Sequence, residues 1–464
     1  MTAPALFEGG GDDGDLWAGW DQMVTPEPDD PLTSLTSAEK AEADPGEFWK
    51  ARPVLTQIME FARARRVGPW AVLGATLARV VAATPPEIQL PATIGDRASL
   101  NLFVGLVGPS GMGKDAARKV AAEAVVIQMP PFPVNPLGSG EGITKMFMRH
   151  VKATAAVPHP EPEQYNRAAL VTVGEIDTFS ALSNRQASTL LPQLRQAAMG
   201  EQLGFFYSDE TKRMPVPEHR YRLCLIAGIQ PQKSRSLLED ADGGTPQRFI
   251  WLPAGDPDAP DVAPEQPTPM LWQPPDWERI DWTVFGSAGA KILDLPKIAR
   301  EIMDSARLQR LRNLGEALDS HALLTRAKVA AALAILDGMH TVTEEDWRLS
   351  GVIMAMSDRQ RQLCQDTVLQ LLVKENHGKA LAEADRAVVV QERTDDAAVK
   401  RVVGWIRTKL ADLGPTSHST LRRKLAARNR DVFEEALDRM IGTSEIVAEE
   451  TDHQGQRKIV YRLA

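Results

Sequence analysis

Apolar residues recur along this chain in two rhythms. In the first, Val54, Leu55, Ile58, Met59 and Phe61 return every three or four positions, and 70–83 is a second apolar stretch. That spacing gathers the side chains on one helical face and predicts a helical pair. In the second, Leu100-Asn101-Leu102-Phe103-Val104-Gly105-Leu106-Val107 is almost continuously apolar. A short run of this kind predicts a strand buried on both faces, as in a parallel sheet. A helix is predicted behind it over 116–128. Further buried strands are predicted over 168–173, 222–227 and 249–252, with a helix over 187–199 between them. Strands alternating with helices predict an α/β core around a mostly parallel sheet.

Residues 253–282, dense in Pro, Asp and Trp, read as a linker or surface crossing. From 288 to about 376 the pattern is helical, strongly apolar over 321–337, with Thr343 as the N-cap of a helix start. The charged stretch 374–397 reads as a connector. A helix over 397–413 is broken at Gly414-Pro415. Short helices over 419–427 and 430–441 follow, then strand-like segments 445–450 and 458–463. Three helices and a two-stranded wing is the winged-helix order. Residues 1–45, rich in Asp, Glu, Gly, Pro and Ser, are predicted to be poorly ordered. The expected plan is a disordered acidic tail (1–45), an N-terminal helical collar (46–95), an α/β core (96–260), a linker and helical lid (261–375), a connector (376–394) and a winged-helix domain (395–464).

Composition narrows the function classes. The 464 residues predict two or three domains. A net charge of −9 excludes a general polyanion binder, so any nucleic-acid contact must come from local basic surface. Two cysteines exclude a disulfide framework and fit a reducing cytoplasm. No apolar run is long enough to span a bilayer, and the acidic, Gly-rich start is unlike a signal peptide. A cytoplasmic protein without a membrane partner is expected. No Ser-His-Asp, Cys-His or metal-ligand cluster stands at useful spacing, so no separate polymerase or nuclease site is expected.

The chemistry concentrates behind the first strand. Gly108-Pro109-Ser110-Gly111-Met112-Gly113-Lys114 fits G-x-x-x-x-G-K between a strand and a helix. Glycines let backbone N–H groups turn toward phosphates, the helix N-terminus adds a positive dipole, and Lys114 reaches the β- and γ-phosphates. ATP with Mg²⁺ is the expected ligand. Asp115 follows Lys114 where a metal-binding Ser or Thr is usual. The second strand ends in Gly174-Glu175-Ile176-Asp177, with Gly where a metal-binding Asp is usual and Glu175 placed to polarise the attacking water. Asp115 is read as the compensating metal carboxylate, with Asp177 as its competitor. Gln230, at the tip of the third strand, can orient the water. Arg248, just before the fourth strand, can reach a neighbouring subunit's phosphate as an arginine finger. Arg326 is a candidate second phosphate sensor.

This order resembles the P-loop ATPases of phage, plasmid and integrated-element replication proteins that are associated with primases. It resembles more distantly the AAA+ helicases of the superfamily III and MCM kind. The carrying features are the helix over 70–83, the segment 101–115, Gly174-Glu175-Ile176-Asp177, Gln247-Arg248-Phe249, and Lys328-Val329-Ala330-Ala331-Ala332-Leu333 leading to Val342-Thr343-Glu344-Glu345-Asp346-Trp347. The resemblance covers roughly 48–363. It implies an AAA+-like core, a homo-oligomeric ring of the hexameric kind with ATP between subunits, single-stranded or forked DNA as substrate, and a primase as a partner on another chain. It also implies a DNA-gripping hairpin before the third strand. Lys212 and Arg213 would contact phosphates there and Phe206 would stack on a base. In the terminal unit Arg422, Arg423, Lys424, Arg428 and Arg430, with Arg457 and Lys458 at the wing, are the expected DNA contacts. An ATP-dependent DNA helicase is the leading expectation. A non-translocating ATP switch that loads a partner, or a scaffold with a degenerate nucleotide site, is the alternative.

Overall fold

Five strands, all parallel, form the central sheet: Phe103–Val107, Val134–Pro136, Ala168–Val173, Arg222–Ile229 and Phe249–Pro253. Across the sheet the order runs 249–253, 103–107, 222–229, 168–173, 134–136. The computed structural model describes residues 33–128, 132–151, 162–176, 189–205, 213–241, 243–285, 288–314, 319–453 and 456–464. The chain divides into two units, Met1–Leu369 and Gln370–Ala464.

Period-two alternation sorts the strand residues onto two faces. Val104, Leu106, Leu170, Ile226, Ile250 and Leu252 join one core, with helices Pro53–Ala64, Pro69–Ala82, Lys114–Ala124 and Ser320–Leu336. Phe103, Val107, Val171, Leu225, Ile229, Phe249 and Trp251 join the other, with helix Leu190–Met199. The first unit is therefore a three-layer α/β arrangement, as the alternating pattern predicts.

Several boundaries differ from the sequence expectation. The helices over 53–82 are no separate collar. A Cβ on Gly74 would lie 2.6 Å from Leu252 and 2.9 Å from Val104, so this glycine lets the second helix lie directly on the sheet. Helix Ser320–Leu336 closes the same core and has no separate one of its own. Order also begins before residue 46. Thr33, Ser34 and Leu35 are buried, and short helices span Ser37–Glu42 and Pro45–Lys50. Thr33 donates to Asp358 at 2.6 Å, which ties this segment down. The stretch 253–282 is more than a linker, because Met270–Trp272 pairs with Val125–Ile127. Ala288–Ile292 is a strand, not a helix, in a four-stranded sheet with 282–285, 88–90 and 98–99.

Thr343 caps a helix as expected, exchanging hydrogen bonds with Asp346. That helix, Glu344–Leu413, has 70 residues and runs through the expected connector. In the second unit the chain turns at Gly414 (φ 70°), then forms Thr416–Ser417, helix His418–Lys424, helix Phe433–Gly442 and strands Ile446–His453 and Gln456–Leu463. The three strands make one antiparallel sheet, ordered 416–417, 456–463, 446–453. Among the described residues no helix is long and apolar enough to cross a membrane.

Candidate functional site

Parallel strands deliver their C-terminal ends to one edge, and a crevice forms where the chain leaves a strand for opposite sides. The strand 103–107 holds that position, flanked by the strands ending at Pro253 and Ile229. Register brings the tips level: Val107 lies opposite Ile229, and Val173 opposite Ala227. Glu175, two residues beyond Val173, therefore reaches the height of Ile229, next to Gln230.

The loop is fixed at both ends. Gly108 N donates to Ile229 O at 2.9 Å, and Ala117 N to Gly113 O at 2.8 Å. Between them Gly111 (φ 81°) and Gly113 (φ 79°) sit in the left-handed region, where any other residue is strained. Lys114 is buried, and its Nζ donates to Gly108 O at 2.7 Å and Pro109 O at 2.8 Å. Burial pulls its pKa below the ordinary value, while the Glu175 and Asp115 carboxylates push it back up. Gln230 Nε2 donates to Glu175 Oε1 at 3.1 Å. The structure thus brings Lys114, Glu175 and Gln230 together.

Two glycines show how close this packing is. A Cβ on Gly228 would stand 2.3 Å from Gly174 O and 3.4 Å from Lys114 Cε. A Cβ on Gly174 would meet nothing within 4 Å. Asp115 lies in the first turn of helix Lys114–Ala124. Its side chain is 64% exposed and pairs with Arg118 at 2.7 Å. Asp177 lies outside the described residues. No group of three or more His, Cys, Asp or Glu among the described residues could hold a metal. Mg²⁺ takes one or two carboxylates plus substrate phosphates, and Asp115, in the first turn behind the loop, is the described carboxylate expected to serve it.

A cavity of about 630 Å³ opens beside the loop. Its walls include Trp49, Trp70, Met59, Met356, Arg63 and Arg359, with Asp256 bound to Arg63 at 2.8 Å. Gly255, also in the wall, would carry a Cβ 3.8 Å from Met112 of the loop. Sequence reasoning did not find this cavity. Trp70 was legible only as part of an apolar helical stretch, and its ring centroid lies 4.8 Å from that of Trp49. Arg79 was also missed: its NH1 donates to Ala121 O and Val125 O, both at 2.9 Å, at the end of the helix that Lys114 begins.

The expected arginines fare differently. Arg248 is partly buried, donates to Gly243 O at 2.9 Å and lies 3.4 Å from His321 Nε2. Burial, reinforced by Arg195, lowers its pKa. Arg326 does not fit the phosphate-sensor role expected of it. It is 2% exposed, stacks 4.0 Å over Trp347, pairs with Glu39 at 2.8 Å and donates to Ser34 O and Trp347 O. Its terminal nitrogens are already committed to the N-terminal segment.

Leu203 and Val216 exchange 3.0 Å backbone hydrogen bonds and close the base of the expected hairpin. Phe206 and Lys212 lie outside the described residues, and Arg213 lies within them, partly exposed. In the second unit Arg422, Arg423, Lys424, Arg428 and Arg430 are exposed. Arg457 reaches Glu450 at 3.9 Å, and Lys458 is exposed. The chain matches no family model, and no curated protein is significantly similar to it in sequence.

Proposed function

We propose that this chain is a P-loop ATPase that works on DNA, an AAA+-like motor followed by a winged-helix unit. One observation carries the reading: a buried lysine at the end of a Gly-rich loop lies beside a hydrogen-bonded Glu–Gln pair at neighbouring strand tips. An additional strand between the loop strand and the Glu175 strand is the arrangement expected of an AAA+-like core. The β- and γ-phosphates lie on the loop N–H groups, and Lys114 exchanges its carbonyl partners for phosphate oxygens. Glu175 takes the proton of the attacking water, and Gln230 holds both the carboxylate and that water. The base and ribose occupy the cavity walled by Trp49 and Trp70. Mg²⁺, which Asp115 would hold with Asp177 as the competing candidate, would supply charge neutralisation at the phosphates. Arg248 leaves Gly243 O and reaches the phosphate bound by a neighbouring copy, which requires a ring of subunits. Single-stranded DNA as the moving substrate, a mobile-element replication setting and a separate primase enter this reading from the resemblance alone.

The test is ATP hydrolysis with and without single-stranded DNA, for wild type, Lys114→Ala and Glu175→Gln. DNA-stimulated hydrolysis lost in both variants supports the motor. Nucleotide binding without hydrolysis removes it. A second reading has its own support. Gly174 offers no metal carboxylate, and Asp115 is turned to Arg118. Those features favour a slow ATP switch that loads a partner, and a forked substrate that stays paired while ATP is hydrolysed would identify it.

A further inference from the structure

In the second unit some cations are held by carboxylates and others are not. Lys374, Lys379, Arg386, Arg393, Arg401 and Lys458 are exposed with no ionic partner among the described residues, but they are scattered along the long helix and at the wing. One group of such cations is clustered. Lys400 and Arg439 both hold Asp396 at 2.6 Å, Lys409 holds Asp412 at 3.3 Å and Arg462 holds Glu449 at 2.8 Å. Arg407 pairs with Glu445. Arg422, Arg423, Lys424 and Arg428 have no ionic partner among the described residues, and all four are exposed. Leu421 and Leu425 are buried on either side of the first three, which forces those three side chains outward. Arg430, giving its Nε to Leu425 O at 3.3 Å, ends the cluster.

Helix Phe433–Gly442 has the opposite character. It buries Phe433, Ala436, Leu437 and Met440 and turns Glu434, Glu435 and Asp438 to solvent. Its one cation, Arg439, is held by Asp396, and Glu434 is paired with His418 at 3.1 Å. A helix laid in the major groove passes between two rows of phosphates. Three outward carboxylates would stand within a Debye length of them and be repelled.

We propose that this unit holds duplex DNA by its phosphate backbone alone, through Arg422, Arg423, Lys424 and Arg428, and reads no sequence. Helix Phe433–Gly442 stays out of the groove. This rests on the reading above that the terminal unit contacts DNA. Backbone contacts fix position and carry no base information. Each phosphate neutralised adds about 0.9 to the slope of log affinity against log salt.

The experiment is equilibrium binding of the full chain, without nucleotide, to two duplexes of unrelated sequence and to one single strand, over a salt series. The two duplexes should bind within about threefold of each other. The triple variant R422A/R423A/K424A should lose about 2 to 3 from the salt slope. The variant E435Q/D438N should keep the slope and gain only a few-fold in affinity. A tenfold or larger preference between the duplexes, or a slope unchanged in the triple variant, overturns the proposal. A slope loss seen only with the single strand overturns the duplex as partner. These readings need no hydrolysis, so a chain that fails the ATPase test still decides this one.

Discussion

Lys114 and Lys328 make the same kind of hydrogen bonds to opposite ends. Each is on a helix against the sheet, and each gives its Nζ to two backbone carbonyls: Lys114 to Gly108 O and Pro109 O, Lys328 to Asn101 O and Ala198 O. Lys114 has Glu175 and Asp115 nearby, which sustain its charge against partial burial. Lys328 is wholly buried, and its charged neighbours Arg248 and Arg222 are cations, so burial first and these second bring its pKa down to about 7. Carbonyls alone hold a lysine in place. Carboxylates and an open strand tip make it available to a phosphate.

Breaking the chemistry of the first lysine should give the largest effect. Glu175→Gln keeps the hydrogen bond with Gln230 and removes the base, so hydrolysis should fall about 10²–10⁴-fold, with ATP affinity within a few-fold of wild type. Steady-state rates and equilibrium binding check it together. Arg326→Ala should do the reverse. It strands Glu39 and unstacks Trp347, lowering stability by about 3 kcal/mol in a denaturant titration while leaving ATP affinity unchanged.

The second lysine is sharpened by pH. Its folded pKa of about 7 lies below its unfolded value, so between these values the unfolded chain binds the extra proton. Stability therefore rises with pH from about 7 toward the ordinary lysine range, by up to about 1.4 kcal/mol per pH unit. Lys328→Met should remove that rise, so that its stability–pH curve is flatter than that of the wild type above about pH 7. Lys114→Met should flatten it far less. The smallest effect belongs to Gly174→Asp. Its Cβ has open space, so stability should stay within about 0.5 kcal/mol. The Mg²⁺ concentration for half-maximal hydrolysis should fall.

What the sequence disclosed follows from how local each signal is. The strand before Gly108, the glycines and Lys114 are contiguous, and their chemistry needs no distant partner. Glu175 and Gln230 were legible as strand ends, but their 3.1 Å contact depends on strand order, which no short window contains. The strands 88–90, 270–272 and 288–292 are three to five residues long and find partners far along the chain, so their pattern is too brief to separate from a loop. Arg326 was misjudged because helix Ser320–Leu336 is buried on all sides. Without a polar face, nothing in the spacing tells a structural cation from one aimed at a ligand. The N-terminal segment misled in the same way, since Thr33 and Ser34 are polar residues whose partners lie about 300 positions away.

The central claim is that the Gly-rich loop and Lys114 hold a nucleoside triphosphate. Titrating ATP into the full chain by calorimetry, wild type against Lys114→Ala, addresses it without requiring turnover. One saturable site per chain is expected in the wild type, and at least a tenfold loss of affinity in the variant. Equal binding by both chains, or none by the wild type, would contradict it.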